Sequence, residues 1–343
     1  MKFIDLRSDT VTIPTEEMKK VMFNAEVGDD VYDDDPTIRA LELKAAELLN
    51  KEDALFVPSG TFGNQLALFT HCKRGQEVIL GDDCHIVVHE TGASSIIAGV
   101  QLRTINSIKG ELNPSEIENK IRKEIDIHFP ETGLICLENA HSNGRVIKLQ
   151  NMKEIYDIAS KYNIPIHLDG ARIFNAAAHL NVEAKEISKY ADSISFCLSK
   201  GLCAPVGSVL VGKKEFIKKA KKNRKIMGGA LRQAGFLAAA GIYALDNMID
   251  RMNEDHKNAQ YLADELEKIE CIKVNKEDLH INLVFFKINK NISPDFFVDS
   301  FLKEGIKVNP PENNEYRLVT HYWVSKKNID KVVTCLKKII SSL

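Results

Sequence analysis

Short apolar runs alternate with longer amphipathic stretches over most of the chain. Ala54–Val57, Glu77–Leu80, Leu134–Leu137, Pro165–Leu168, Ser193–Cys197 and Ser208–Val211 are four or five residues each and bounded by turn formers. That length and flanking chemistry predict buried strands rather than helices. Between them lie helical patterns, one starting near Thr61 and ended by Gly75, another spanning Asn151–Tyr162. Such alternation predicts an α/β fold, a mainly parallel sheet covered by helices. Near Ile242–Asp250 the pattern changes. A polar helix over Asn253–Ile269 is followed by strands at Leu283–Phe286 and Tyr316–Val319, with helices at Pro294–Lys303 and Lys326–Ser341. This predicts a large domain over 1–245, including the N-terminal segment, and a smaller α+β domain over 246–343. No tandem repeat interrupts the pattern.

Composition narrows the function classes. A chain of 343 residues with 44% hydrophobic and 27% charged residues suits one large and one small domain of a soluble protein. A formal net charge of -2 gives no bulk signal for nucleic acid or membrane. The first ten residues lack an apolar signal core, and the apolar run Phe236–Leu245 is too short to span a bilayer. Seven cysteines without a C-x-x-C pair argue against a disulfide framework and a structural zinc site. The expectation is a cytoplasmic protein without a metal.

In open α/β sheets ligands bind at the carboxyl ends of the strands, and three segments there carry chemistry. Pro58-Ser-Gly-Thr-Phe-Gly-Asn64 joins a strand to a helix start, where free N–H groups and the helix dipole suit a phosphate. Gly60 permits close approach and Thr61 offers a hydroxyl; taken alone, the turn reads first as a plain N-capped helix start. Asp169 stands where the strand Pro165–Leu168 runs out. A carboxylate there can hold a pyridinium proton, or cap the next helix. Arg172, three residues on, suits bidentate carboxylate binding. Lys200, in Ser-Lys-Gly after Ser193–Cys197, suits attack on an aldehyde. The order of phosphate turn, strand-end Asp and Ser-Lys-Gly gives the three segments one combined meaning. Ser8, His85, His128, Arg317 and His321 are further candidates, with His85 placed to stack on a flat cofactor. Eight of the thirteen residues Lys213–Lys225 are basic. This reads as a solvated helix face, because aromatic residues for base stacking are missing apart from Phe216; Lys225 and Arg232 flank the Gly228-Gly229 turn and can serve a phosphate.

With these motifs in place, the chain resembles the low-specificity L-threonine aldolases, pyridoxal-phosphate (PLP) enzymes of the aspartate-aminotransferase fold type. The resemblance runs from Asp5 to the C-terminus. It rests on Asp5–Thr12, Glu26–Tyr32, Phe56–Thr61, His167–Asn175, Leu198–Leu202, Pro205–Ser208, Arg232–Gly235 and Arg317–His321. It implies that Lys200 forms a Schiff base with PLP, Asp169 pairs with the pyridinium and His85 stacks on the ring. It further implies that Gly60 and Thr61 hold the phosphate, with Lys225 and Arg232 reaching across from a neighbouring subunit of a homodimer or homotetramer. Ser8, Arg172 and Arg317 would hold the substrate carboxylate, and His128 would face the substrate hydroxyl. The implied reaction is retro-aldol cleavage of L-threonine and L-allo-threonine to glycine and acetaldehyde, with His85, His128 or an ordered water as base. The segment Glu138–Val146 departs from the family pattern by being shorter and by carrying Ala140 where Thr is usual. Two alternatives stay open: a lyase of the same fold that eliminates at Cβ, and a basic-helix nucleic-acid-binding protein without catalysis.

Overall fold

A computed structural model describes residues 3–124 and 126–342. Seven strands form the central sheet, in the spatial order Asp53–Val57, Ser208–Gly212, Ser193–Cys197, Ile166–Asp169, Thr132–Glu138, Glu77–Gly81 and Gln101–Ile105. Ser208–Gly212 pairs antiparallel with both neighbours, and the remaining pairs are parallel. Six strand ends therefore share one edge with the start of the seventh. The six predicted strands all form. Gln101–Ile105 was not predicted because it is an edge strand, apolar on only part of its length and largely open to solvent.

The sheet is apolar on both faces because helices cover both, as parallel sheets require. Ile135, Ile166, Ile194, Val209 and Phe56 are buried in the main core together with Leu41 and Ala45 of the helix Pro36–Leu48 and Ala238 and Ala244 of the helix Gly235–Asn247. Small residues on that last helix permit close packing: a Cβ on Gly241 would come within 3.1 Å of Leu41 Cδ1.

A second core lies in the C-terminal part, around Leu262, Phe286, Phe297, Phe301 and Leu336. It backs a three-stranded antiparallel sheet of Ile272–Val274, Leu283–Ile288 and Tyr316–Val319. The first residues of the N-terminal segment reach this part, while Met18 of the following helix Glu16–Phe23 is buried in the main core. Ile4 and Asp5 pair parallel with Ile306 and Lys307, and Leu6 is buried in the second core. The alternating apolar pattern gives no sign of this, since so short a strand depends wholly on a distant partner. Among the described residues, no helix is long and apolar enough to cross a membrane. All seven cysteines are free thiols.

Candidate active site

The shared strand edge holds an open cleft of about 240 Å³, lined by Thr10, Ser59, Gly60, Thr61, Asn64, His85, Glu138, Ser142, Asp169, Arg172, Ser199 and Lys200, among others. Each expected strand-end residue arrives here for the same reason: the strand stops and the next residues turn over the edge.

At one wall the helix Gly60–His71 begins. Ser59 caps it, its Oγ accepting from Phe62 N at 3.2 Å. Among the described residues, no acceptor meets the amide N–H groups of Gly60 and Thr61. A Cβ on Gly60 would come within 2.8 Å of Cys197 Sγ, so a side chain would fill this floor. Ser208, at the start of the antiparallel strand, leaves a buried Oγ without a partner beside it. Donors without acceptors at an uncrowded helix start fit a phosphate.

Asp169 is 4% exposed. One oxygen accepts from Asn64 Nδ2 at 2.7 Å and the other from Ala171 N at 3.0 Å. His85 is hung from two carboxylates. Its backbone N–H donates to Glu138 at 2.7 Å, and its Nδ1 lies 2.8 Å from Glu90 Oε1. Glu90 also takes Asn64 Nδ2 at 2.8 Å and Gln65 Nε2 at 2.6 Å. With Nδ1–H donated to Glu90, a neutral His85 keeps Nε2 as an acceptor. The Glu90 hydrogen bond raises the His85 pKa; burial opposes this and Asp169 reinforces it. Polar atoms of His85, Glu90 and Asp169 lie within 4.8 Å of one another. The Lys200 ammonium lies near enough to act electrostatically on both His85 and Asp9.

Opposite these groups, Asp9 takes Arg172 Nε at 2.8 Å and Nη2 at 2.6 Å. Nη1 is left to meet a ligand. Ser8 caps the short turn Asp9–Val11, accepting from Thr10 N, and Thr12 Oγ1 donates to the Lys200 carbonyl at 2.8 Å. Arg317 stands just beyond, on Tyr316–Val319, donating to the Arg7 carbonyl at 3.3 Å. Its pKa is lowered, first by burial and then by the Arg172 charge. His321 is structural: it is fully buried and its Nε2 meets the Asp5 carbonyl at 2.8 Å.

The segment after Thr132–Glu138 folds back as a compact turn. Glu138 Oε1 accepts from Ser142 N at 2.7 Å, while Asn139 exchanges hydrogen bonds with the Ile147 backbone at 3.0 and 3.1 Å. Ser142 thereby reaches the cleft despite the shortened loop.

Ser8 and Arg317 stand beside the cleft and not in its lining, and three more expected residues are not brought to it by their own chain. His128 sits before the strand Thr132–Glu138, at its amino end, whereas the cleft lies at the carboxyl ends. Its side chain is 76% exposed and pairs with Asp126 at 2.9 Å. In a single chain His128 thus stands away from its own cleft. Lys225 is exposed in the last turn of the helix Lys214–Ile226, and Arg232 is exposed and paired with Asp29 at 2.7 Å. That basic helix is not a uniform stripe. Arg224 is buried, 2.5 Å from Asp30 and 2.7 Å from the Phe56 carbonyl.

Asp9, Asn64, Glu90 and Glu138 were missed from sequence. The signal for one of them was present, since Asn64-Gln65 interrupts an otherwise apolar helix.

A lysine, a strand-end carboxylate, an anion-binding helix start and a paired arginine around one cleft define an enzyme built to carry an aldehyde cofactor. Residues 5–289 match the family model described as beta-eliminating lyase. The low-specificity L-threonine aldolase of Escherichia coli (strain K12) is 43% identical over 331 residues, covering 96% of this chain and 97% of that protein. Low-specificity L-threonine aldolase 1 of Arabidopsis thaliana is 41% identical over 350 residues, covering 100% and 98%. The solved threonine aldolase of Leishmania major shares the fold, with a TM-score of 0.83 at 20% identity, covering 98% of this chain and 99% of that one. The chain belongs to the beta-eliminating lyase family and, within it, to the low-specificity L-threonine aldolases. Its cofactor is pyridoxal phosphate.

Proposed function

We propose that this chain cleaves the Cα–Cβ bond of L-threonine and L-allo-threonine, releasing acetaldehyde and glycine. The observation that carries the reading is the convergence of Lys200, Asp169, His85 and Arg172 on one cleft, with Gly60 and Thr61 at its wall. Lys200 would hold the cofactor through Nζ, Asp169 would face its ring nitrogen, and the amides of Gly60 and Thr61 would take its phosphate. When bound, PLP supplies an electron sink for the pair released at Cα.

The chain's own groups do the rest. Arg172, held by Asp9, offers its remaining edge to the substrate carboxylate, with Ser8 and Arg317 beside it. Fixing the carboxylate in one place decides which bond at Cα is presented for cleavage. His85 Nε2 accepts the β-hydroxyl proton, being the candidate base that this chain places in the cleft. Several charged contacts fix configuration at Cα, whereas few groups read the hydroxyl. Discrimination between the two L-diastereomers is therefore small, on the order of 1–3 kcal/mol.

The active form is a homodimer or homotetramer in the cytoplasm. Supporting this, Lys225 and Arg232 are exposed outside their own cleft, near the exposed apolar Ile226 and Tyr32. They would bind the phosphate in a neighbouring subunit, and His128 can act only from another subunit. A fully active monomer by light scattering would contradict this.

The deciding assay offers the four threonine stereoisomers and measures acetaldehyde and glycine against pyruvate and ammonia. Aldehyde from both L-isomers and neither D-isomer is expected. Pyruvate and ammonia as the main products would favour elimination at Cβ instead.

A further inference from the structure

Behind Asp169 runs a line of polar groups that the reaction leaves unused. His71 Nε2 lies 2.8 Å from Ser193 Oγ, and Ser193 Oγ lies 3.0 Å from His167 Nδ1. His167 Nε2 lies 3.2 Å from Asn64 Oδ1, and Asn64 Nδ2 lies 2.7 Å from Asp169. His167 and Ser193 are fully buried, and Asn64 is nearly so.

Hydrogen-bond roles along this line are determined from the Asp169 end. Asn64 faces two carboxylates, Asp169 and Glu90, both of which demand its NH₂ group. Its carbonyl oxygen must then point at His167, so His167 carries its proton on Nε2. Nδ1 of His167 becomes an acceptor, which the Ser193 hydroxyl satisfies as donor. Ser193 Oγ in turn accepts from His71 Nε2–H. Every donor in the line points towards Asp169, and such aligned chains polarise one another. Burial lowers the pKa of His167 to about 4 and of His71 to about 3, so both rings are neutral, as the line requires. His71 is further held by stacking on Phe216 at 4.3 Å.

We propose that His167 and Ser193, backed by His71, are positioning residues that lock the Asn64 amide and through it hold Asp169 in place for the cofactor. The inference rests on the reading of Asp169 as the partner of the ring nitrogen. Replacing Ser193 would leave His167 Nδ1 without a donor and the ring without its second anchor. The ring could then turn away from the Asn64 oxygen, and the amide that donates to Asp169 would lose its anchor.

The test titrates cofactor-stripped, full-length protein with pyridoxal phosphate and follows the visible absorption band of the bound cofactor. His167→Phe should weaken binding about tenfold, the upper scale of one neutral hydrogen bond, and shift the band. His167→Gln, whose amide can accept from Ser193 and donate to Asn64, should restore binding to within about threefold of wild type, the same scale less a partial mismatch. Wild-type binding and band in His167→Phe would overturn the proposal, as would a Gln variant no better than Phe. Where His167→Phe does not fold, Ser193→Ala decides by the same criterion: a weakened, shifted complex supports the proposal and wild-type values overturn it. Asp169→Asn is titrated in parallel. If it leaves binding and band unchanged, the reading of Asp169 itself fails; if it changes both while the His167 and Ser193 variants do not, this inference alone fails.

Discussion

Asp9 grips Arg172 by both carboxylate oxygens, at 2.6 and 2.8 Å, and Asp9 is fully buried. Burial alone would raise the Asp9 pKa. The Arg172 charge and hydrogen bonds, with help from Lys200 and Asn282, outweigh it and hold the group well below the usual carboxylate range. Asp9→Asn should leave Arg172 half-gripped and its charge uncompensated. We expect a raised KM for threonine and a stability loss of about 3–5 kcal/mol near neutral pH, the scale of breaking a buried pair. The folded pKa lies below the unfolded value of about 3.9. The stabilisation is therefore complete above that pH and is lost as pH falls towards the folded value. Urea unfolding of both proteins should show a constant gap above about pH 5 that narrows below about pH 4. A gap independent of pH would mean that Asp9 contributes by shape alone.

Lys200 is the expected attachment point of the cofactor. Borohydride reduction of the holoenzyme should leave the label on the peptide containing Lys200, read by mass spectrometry. Lys200→Ala should retain PLP only loosely and lose turnover. Label on another lysine would reject the assignment.

Asp169→Asn is nearly isosteric, and its single amide oxygen can still accept from the Ala171 amide or from Asn64, though no longer from both. The fold should survive while the ring nitrogen loses its charged partner. A loss of at least ~100-fold in kcat is expected, as for removal of one preorganised electrostatic group. Near-normal activity would reduce Asp169 to a turn-former.

Glu90→Gln tests His85. Since the Glu90 hydrogen bond is the main influence raising the His85 pKa, the variant should titrate lower, as followed by ring proton NMR. A base must be neutral to take a proton, so activity falls as pH drops through its pKa. The acid limb of kcat/KM should accordingly move to lower pH in Glu90→Gln. An unmoved limb with a shifted ring titration would remove His85 as the base.

The strands and their ends were legible because burial on both faces writes itself as short continuous apolar runs. Asp169 and Lys200 stand immediately beyond such runs, and Thr61 opens the helix after another, so position along the chain located them. Glu90 and Asp9 carry no such marker. Glu90 follows a short helix and points inward only because Asn64 and Gln65 face it from another element. Asp9 becomes a buried counter-ion only when Arg172 is folded against it. His128 is a different case. The direction of its strand sends it to the far edge of its own sheet, and a linear sequence does not say which subunit's cleft a residue would serve.

The pairing of Ile4 and Asp5 with Ile306 and Lys307 sets an order of assembly during synthesis. The central sheet, Asp169 and Lys200 have all left the ribosome before Ile306 exists, and so have the Gly60–Thr61 amides. The N-terminal strand must wait unpaired for a partner made near the end of translation, a contact of the slowest kind to form. Arg317 emerges later still. A growing chain thus completes the groups that would hold the cofactor, and Arg172 with them, well before Arg317, and a chain stopped at residue 289 would keep all of these without Arg317.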